Sequence, residues 1–513
     1  MQNSTAIIGR RAERAALDEY LNSNRSEFIA LYGRRRVGKT FLVRETLGPD
    51  FAFYVTGILN GTYGEQLNNF NTEIINFGGN NIAPAKNWNE AFFNLHTLID
   101  TSKKNGKKVV FIDEIPWMST PKSGFLPALD HFWNRYASMR KDVLLLICGS
   151  AASWIIDNIT NNTGGLHNRL TGVIYLQPFN IQECEIYYRA KGIDIPRYQI
   201  AEAYMIFGGI PYYMDLLKPK YSLAQNVDEI FFRENAPLEN EYANLFRSLF
   251  KSADGHMRVI DALAARNYGK TRDEIIKAAG MSEGGGISKI LSELAASGFI
   301  RVYQAYGKKK KDNLYQLIDP FTLFCLRFGS KRDVYSDDYW LRFSTTPAHA
   351  AWAGYAFEIL CLRHIPQIRK ALGISGVLTE IYSWRSKSYD PGAQIDLVIE
   401  RGDNIINLCE IKYASSEYLI SKADDQSLRN KRSAFMAETR TRKAAQTTLI
   451  TTYGLRKNAY QASVPFEITL DDLFFSQGWP DGYFYTFGSI NDGSFVKQTP
   501  QDWPADVPRD NFP

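Results

Sequence analysis

The chain has 513 residues, of which 45% are hydrophobic, and a formal net charge of +5. This length suggests about three domains, and the apolar content is sufficient for several cores. This small net charge excludes a uniformly basic nucleic-acid-binding protein. Any affinity for DNA must therefore come from local basic patches. No apolar run approaches the roughly 18 residues of a membrane span.

The N-terminus and the cysteine pattern indicate the compartment. The first ten residues lack the charged start and long apolar core of a signal peptide. The five cysteines are scattered without a CxxC pair, so neither a disulfide framework nor a zinc knuckle is predicted. We therefore expect a reduced, cytoplasmic protein with no membrane segment.

The first elements in chain order form a recognisable unit. Ile7–Leu17 has an amphipathic pattern that predicts a short helix, and Phe28–Tyr32 is an apolar run that predicts a buried strand. The pattern Gly33-x-x-x-x-Gly38-Lys39-Thr40 follows this strand directly, and a helical pattern begins at Phe41. A phosphate-binding loop requires this context, with a strand before it and a helix after it.

The loop has the chemistry needed to hold a nucleoside triphosphate. Its glycines let consecutive backbone N–H groups curl around an anion, and the helix N-terminus adds partial positive charge. Lys39 would reach the β- and γ-phosphates of ATP, and the Thr40 hydroxyl would ligate Mg²⁺. The candidate nucleotide-binding residues of the loop are Gly33, Arg34, Arg35, Arg36, Val37, Gly38, Lys39, Thr40 and Phe41.

A second buried strand supplies the partner motif. The apolar run after Lys107 ends in the paired carboxylates Asp113 and Glu114. Asp113 would hold the metal through water, and Glu114 would polarise the attacking water. The alternative is a glycine-rich turn and an unrelated acidic strand end, but the two motifs together favour an NTP site.

With the box Ile7-Ile-Gly-Arg10-x-x-Glu13 in front of these motifs, the chain resembles the AAA+ ATPases, and more closely their archaeal-type branch. The resemblance implies that Ile8, Gly9 and Arg10 lie near the base and phosphates. We expect the three arginines inside the loop to be solvated or to face a partner rather than to be catalytic.

Two later segments extend the resemblance. Val143–Ser150 predicts a third buried strand, and a hydroxyl at its carboxyl end can contact the γ-phosphate or the water. Ser150 thus resembles the family's sensor residue, and a Gly-Ser turn that caps the next helix is the alternative. Arg169 precedes a strand that ends in Pro178-Phe179, as an arginine does in the family. It could grip phosphate within the chain or across a subunit interface, or it could be a surface arginine.

The middle of the chain changes character. Residues 181–249 are helical in pattern, with a break at Phe207–Tyr213, and resemble the family's helical lid. Met257–Leu317 predicts a winged helix with a capping box at Thr271 and a hairpin whose tip carries Lys308–Lys311. Such a basic tip can contact DNA phosphates. Ser288, Lys289 and Ser292 are the few candidate base-reading side chains, and a protein-interaction role remains the alternative.

The C-terminal region carries a second chemical signature. Glu358 lies on a predicted helix, Asp396 shares a strand face with Gln394, and Glu410 shares one with Lys412. Asp396 and Glu410 can hold Mg²⁺, Glu358 can complete the shell, and Lys412 can orient water or stabilise the charged transition state.

The order helix Glu, then Gly-x-x-Ile-Asp, then Glu-x-Lys resembles the PD-(D/E)xK nuclease superfamily, and the turn at Asp390-Pro391 and the basic helix 428–443 fit it as well. A surface salt-bridge cluster, or a nuclease fold without activity, are the alternatives.

We therefore expect an α/β protein: an AAA+-like P-loop NTPase with a helical lid, a winged helix-turn-helix and a restriction-endonuclease-like domain. The leading hypothesis is an ATP-hydrolysing DNA-binding protein whose C-terminal domain cuts DNA with Mg²⁺, and a homo-oligomer is compatible with it. The second hypothesis is an ATP-operated switch or scaffold that docks on DNA or protein without cleavage. The expected divisions are 1–180 (ATPase core), 181–250 (lid), 251–320 (winged helix), 321–350 (connector), 351–487 (nuclease-like domain) and 488–513 (loosely ordered tail).

Overall fold

The computed structural model describes residues 7–48, 51–160, 166, 169–250, 252–265, 268–308, 312–329, 338–386 and 392–474. The expectations for Lys309–Lys311, for the turn at Asp390-Pro391 and for the tail 488–513 lie outside these residues.

A five-stranded parallel sheet in the order β2-β3-β4-β1-β5 forms the N-terminal part of the chain. Its strands are β1 (Glu27–Tyr32), β2 (Phe53–Thr56), β3 (Lys108–Asp113), β4 (Val143–Gly149) and β5 (Gly172–Tyr175). Every residue of β1, β3 and β4 is buried, as predicted from their unbroken apolar runs.

Helices cover both faces of this sheet. They are α1 (Arg11–Asn22), α2 (Lys39–Leu47), α3 (Tyr63–Asn76), α4 (Trp88–Thr101), α5 (Ile115–Met118), α6 (Phe125–Arg135) and α7 (Ala152–Ile155). Alternate residues of β1 enter different cores, with Ile29 and Leu31 in one and Phe28 and Ala30 in the other. The carboxyl ends of β1, β3 and β4 therefore lie together at one edge, where ligands bind in such sheets.

Residues 181–249 are helical, as predicted. The helices are α8 (Ile181–Ala190), α9 (Arg197–Phe207), α10 (Pro211–Met214), α11 (Leu223–Val227) and α12 (Glu241–Leu249). The predicted break after Phe207 has a clear cause, because Gly208 and Gly209 both have φ of 68°. A Cβ on Gly209 would also lie 2.3 Å from the Phe179 carbonyl oxygen, so the turn requires glycine.

Three helices and an antiparallel hairpin follow. They are α13 (Ala253–Ala264), α14 (Arg272–Ala279), α15 (Gly285–Ala296), β6 (Ile300–Ala305) and β7 (Leu314–Leu317). The predicted capping box is present, since Thr271 and Glu274 satisfy each other's backbone N–H groups.

The C-terminal part is built on a mixed sheet. Its elements, with the connecting helices before it, are α16 (Pro320–Phe328), α17 (Tyr339–Phe343), α18 (Pro347–Arg363), α19 (Ile365–Ala371), β8 (Thr379–Arg385), β9 (Gln394–Arg401), β10 (Ile405–Lys412), α20 (Lys422–Thr439), β11 (Ala444–Thr451) and β12 (Phe466–Thr469). The aromatic connector packs inward, with Trp340 buried against Phe324, Phe328 and Trp352.

The hairpin is joined to this C-terminal sheet, which the sequence did not predict. Gln304 and Ala305 of β6 pair in parallel with Tyr382 and Ser383 of β8. The result is one seven-stranded sheet in the order β12-β11-β10-β9-β8-β6-β7. The expected division between residues 251–320 and 351–487 is thus bridged by strand pairing.

Among the described residues, no helix is long and apolar enough to cross a membrane.

His364 connects the helical segment to α18. Its Nε2 accepts a hydrogen bond from the Ile181 N–H at 2.9 Å, and its Nδ1–H donates to the Leu360 carbonyl at 2.7 Å. Both contacts require a neutral ring, and complete burial lowers the pKa of His364 from 6.5 to about 4.

We expect acid to destabilise the protein through this residue. The unfolded chain takes up a proton near pH 6.5 that the folded chain accepts only near pH 4, so stability falls as the pH drops through this window. The full effect corresponds to about 3 kcal/mol. Thermal unfolding of the parent and of His364→Gln, from about pH 7.5 to about pH 4.5, measures it. The parent should lose stability more steeply, and parallel profiles would contradict the assignment.

Candidate functional site

The loop after β1 adopts a tight anion-binding conformation. Gly38 and Arg36 have φ of 88° and 71°, and α2 begins directly after Gly38. Gly33 packs so closely against β5 that a Cβ there would lie 2.3 Å from the Leu176 carbonyl oxygen. The loop is therefore held between β1, β5 and the N-terminus of α2, which leaves the backbone N–H groups at the start of that helix for a ligand.

Lys39 and Ser150 meet beside this loop. The Lys39 ammonium donates to the carbonyls of Gly33 at 3.0 Å and Arg34 at 3.1 Å, and to the Ser150 hydroxyl at 3.2 Å. The backbone N–H of Ser150 donates to Glu114 at 3.0 Å, and its hydroxyl contacts the same carboxylate. The helix-cap alternative for Ser150 is wrong, because Ala151 is the N-cap of α7 and no side chain caps it.

The two carboxylates at the end of β3 face different partners. Asp113 accepts from the Thr40 hydroxyl at 2.7 Å and from the Glu114 N–H at 2.9 Å. Glu114 has φ of 47°, a strained value that turns its side chain toward Ser150. The Thr40 hydroxyl and the Asp113 carboxylate are oxygen donors in direct contact, so this pair fits a Mg²⁺ ion bound together with a nucleotide.

Arg10 and Gly9 fix the loop from the other side. The Arg10 guanidinium donates to the carbonyls of Gln177 at 2.6 Å and Val37 at 3.2 Å, and it lies over the Phe179 ring. Gly9 has φ of 69° with a Glu183 oxygen against the place of its Cβ. Arg10 therefore joins the loop to β5 and α8 through protein contacts, which gives it a positioning role.

The arginines inside the loop differ from expectation. Arg34 is 2% exposed and forms an ion pair with Asp319, and its guanidinium lies 4.9 Å from the centre of the Phe299 ring and 5.8 Å from that of Phe321. The expectation that it is solvated or faces a partner is therefore wrong, because residues far along the chain cover it.

Arg36 is held within the chain in the same way. Its guanidinium lies 2.9 Å from Glu241 and 4.1 Å from the centre of the Tyr212 ring. Among the other loop residues, Arg35 is half-buried and Phe41 is 46% exposed.

Arg169 lies at the opposite edge of the sheet. It is exposed, on a turn three residues before β5, and β5 begins beside Ile29 in the middle of β1. The phosphate loop follows the other end of β1, at Tyr32. The structure therefore does not bring Arg169 to the loop of its own chain.

The C-terminal candidates do come together. Gln394 donates to Asp396 on β9, and the Lys412 ammonium lies 2.9 Å from Glu410 on β10, so the predicted pairs share strand faces. Lys431 of α20 lies 2.6 Å from the second Glu410 oxygen.

The three carboxylates have different electrostatic environments. Burial, and then the charge of Asp396, raises the pKa of Glu358 well above its ordinary value, and one of its oxygens has no hydrogen-bond partner. Burial and the charge of Glu410 also raise the pKa of Asp396, although Gln394 opposes this. Burial acts on Glu410 in the same sense, but Lys431 and Lys412 outweigh it and lower its pKa.

No three acidic, histidine or cysteine side chains are close enough to form a metal cage in the part of the chain that the structure describes. Mg²⁺, however, is commonly bound through one or two carboxylates with water and substrate phosphate. Asp396 and Glu410 each lie one residue beyond the final paired residues of β9 and β10, which are Leu397 and Cys409. With the unpartnered Glu358 oxygen nearby, the donor types fit a two-carboxylate magnesium site.

Two basic residues of this cluster, Arg301 and Lys431, were not predicted from the sequence. Arg301 of β6 donates to the Gln316 side chain of β7 at 2.9 and 2.6 Å, and Gln316 lies beside Glu358. Nothing local in the sequence signals this, because it depends on pairing between the hairpin and β8. Lys431 was detectable only as part of the basic helix.

The loop, the Asp113–Glu114 pair and the Ser150–Lys39 contact define a P-loop nucleotide-binding domain. Residues 8–217 match the family model described as "ATPase domain predominantly from Archaea". This segment is therefore an archaeal-type ATPase domain.

Individual relatives were also found. An uncharacterized protein of Methanocaldococcus jannaschii is 25% identical over 324 residues, which cover 63% of this chain and 68% of that protein. An uncharacterized ATP-binding protein of the same organism is 40% identical over 47 residues, which cover 9% of this chain and 80% of that protein. Among solved structures, the Walker-type ATPase of Pyrococcus abyssi has 19% identity and a TM-score of 0.41 over 63% of this chain and 96% of that chain. The ORC2 protein of Aeropyrum pernix has 13% identity and a TM-score of 0.39 over 70% of this chain and 96% of that chain.

The Arg34–Asp319 pair offers a direct test of the packing around the loop. We expect Arg34→Met and Asp319→Asn each to cost about 3–5 kcal/mol, because each leaves a buried group without its partner. The double variant should cost less than the sum of the two. Denaturant unfolding of the four proteins measures this.

Arg35→Met is the matched control, since it changes the neighbouring arginine of the same loop. If the Arg34 and Asp319 variants were no less stable than this control, the pair would not hold the loop in place.

Proposed function

We propose that the chain is an ATP-hydrolysing DNA-binding protein whose C-terminal domain cleaves DNA phosphodiester bonds with Mg²⁺. The observation that carries the first part is the contact network of Lys39, Thr40, Asp113, Glu114 and Ser150 in an archaeal-type ATPase domain. The DNA-related part rests on the C-terminal cluster and on the exposed face of the three-helix segment.

In the ATPase site, Lys39 would release the loop carbonyls and bind the β- and γ-phosphates. Thr40 and Asp113 would hold Mg²⁺, which neutralises charge on the phosphate oxygens when bound. Glu114 would accept a hydrogen bond from the attacking water. Ser150 would hold the side chains of Glu114 and Lys39 in position, because it contacts both.

A role for Arg169 in this reaction requires a second copy of the chain. The residue lies at the sheet edge away from its own loop, so its guanidinium would reach only a neighbour's nucleotide. We therefore propose that hydrolysis takes place in a homo-oligomer.

Two features support DNA binding. Helix α15 exposes Ser288 and Lys289, with Ser292 half-buried, and Lys308 is exposed where the hairpin connection begins. Three helices followed by a two-stranded hairpin are the elements of a winged helix, and exposed lysines favour contacts with phosphates rather than with bases.

The C-terminal cluster has the groups that cleavage needs. Asp396 and Glu410 would hold Mg²⁺, which would polarise the phosphodiester when bound. Lys412 would orient the attacking water or stabilise the charge that develops on the phosphate.

One observation favours the second candidate function, a switch or scaffold that binds without cutting. Both oxygens of Glu410 are engaged by lysine ammonium groups, and the raised pKa of Glu358 favours its neutral form. A cluster in this state can bind a phosphate without cleaving it.

For the ATPase, we expect Lys39→Ala to abolish ATP binding, because the loop loses its one ammonium group. Glu114→Gln should retain binding but lower the hydrolysis rate at least about 100-fold, since the amide cannot accept a proton from water. Nucleotide titration and phosphate release measure the two effects. The exposed Lys103→Ala is the control. Undiminished binding by Lys39→Ala would remove the assignment.

For the C-terminal domain, we expect the parent to nick plasmid DNA with Mg²⁺ and ATP, and Asp396→Ala to lose this activity. The exposed Glu417→Ala should cut like the parent, because it removes an exposed carboxylate of the same domain that is not one of the proposed metal ligands. Gel electrophoresis of the plasmid gives the answer. A parent that does not nick the plasmid with any of the divalent metals tested would decide for the switch.

A further inference from the structure

Strand β6 brings one basic side chain into the C-terminal cluster from outside the C-terminal region. Arg301 lies on this strand opposite Gln316 of β7, and the next pairs along β6 join β8. Since β8 pairs with β9, the strand that carries Asp396, the hairpin and the cluster belong to one continuous sheet.

The Arg301 side chain is held in place but not neutralised. Its Nε and Nη2 both donate to the Gln316 Oε1, and its guanidinium lies 4.0 Å from the centre of the Tyr303 ring. Within the described residues it makes no ion pair with a carboxylate, although Glu358 and Asp396 are close enough to feel its charge. A guanidinium fixed in this way keeps a free N–H edge for a ligand.

The charges around the cluster favour an anion. Three cations, Arg301, Lys412 and Lys431, face three carboxylates, Glu358, Asp396 and Glu410. Lys412 and Lys431 are both engaged by Glu410, so among the described residues Arg301 is the cation of this cluster without a carboxylate partner. Arginine suits a phosphate especially well, since its planar fork donates two parallel hydrogen bonds.

We propose that Arg301 is a phosphate-binding residue of the C-terminal site, which holds the nucleic-acid backbone beside Asp396 and Glu410. This inference rests on the proposed function of the C-terminal domain, and it adds to that domain a residue from the preceding hairpin. The site then accepts its phosphate only when the hairpin is paired with β8.

The test is DNA binding without cleavage. A fluorescent duplex of about 20 base pairs is titrated with protein in EDTA at several salt concentrations, for the parent, Arg301→Met, Arg301→Lys and the control Arg14→Met. Met keeps the apolar stem over Tyr303 while removing the charge. The exposed Arg14 lies on α1, so its replacement makes the same change in net charge away from the site.

We expect Arg301→Met to bind about tenfold more weakly, with the slope of log K against log salt smaller by about 0.9, the loss of one phosphate contact. Arg301→Lys should retain the slope but lose affinity, because an ammonium group keeps the charge without the fork. A slope of Arg301→Met equal to that of the parent and of Arg14→Met would overturn the inference.

Unfolding temperature and ATP binding of Arg301→Met establish that it is folded. Should it prove unstable, Gln316→Glu provides the second variant, since a carboxylate beside the guanidinium would neutralise it and produce the same loss of slope.

The cleavage proposal can fail independently of the Arg301 assignment. A parent that never nicks plasmid but loses one contact in Arg301→Met supports the Arg301 assignment and rejects cleavage. Nicking with an unchanged slope rejects only the Arg301 assignment.

Discussion

The buried ion pair between Arg34 and Asp319 joins the phosphate loop to the start of α16, the helix that leads into the C-terminal region. A guanidinium that is 2% exposed must be paired, since an isolated buried charge is strongly unfavourable. Asp319 also accepts from the Thr322 N–H and so begins α16. The loop that would bind phosphate is thereby fixed to the element that leads into the C-terminal region, and Phe299, against which Arg34 packs, immediately precedes β6.

Strand β6 then carries this connection to the second site. Within six residues, Phe299 contacts the loop arginine, Arg301 reaches the carboxylate cluster and Gln304 pairs with β8. The phosphate loop and the C-terminal cluster are thus connected through one short strand, although their motifs lie more than 300 positions apart in the chain.

The sequence predicted those features whose cause is local. The phosphate loop, the apolar strands and the capping box at Thr271 follow from short patterns, and the same-face pairs Gln394–Asp396 and Glu410–Lys412 follow from the period of a strand. The fate of Arg34 could not be predicted, because an arginine in a glycine-rich loop is ordinarily solvated and its partner is 285 positions away. The pairing of β6 with β8 could not be predicted for the same reason, because the two strands lie far apart in the chain. Long-range pairing leaves no periodic signal.

In the C-terminal cluster, the sequence motif predicts the positions of the side chains but not the balance of charge around them. Four residues in the expected order are compatible with a metal-dependent nuclease and with an inactive phosphate-binding site alike. What separates these is the balance between carboxylates and cations, and Lys431 and Arg301 enter it from a helix and a hairpin that the motif does not include. Both oxygens of Glu410 are engaged by lysine ammonium groups, so a metal ion at this carboxylate would compete with two cations. Under the proposed function, binding of the nucleic-acid backbone would depend on the positive charge that Arg301 supplies, whereas cleavage would depend on the carboxylates Asp396 and Glu410.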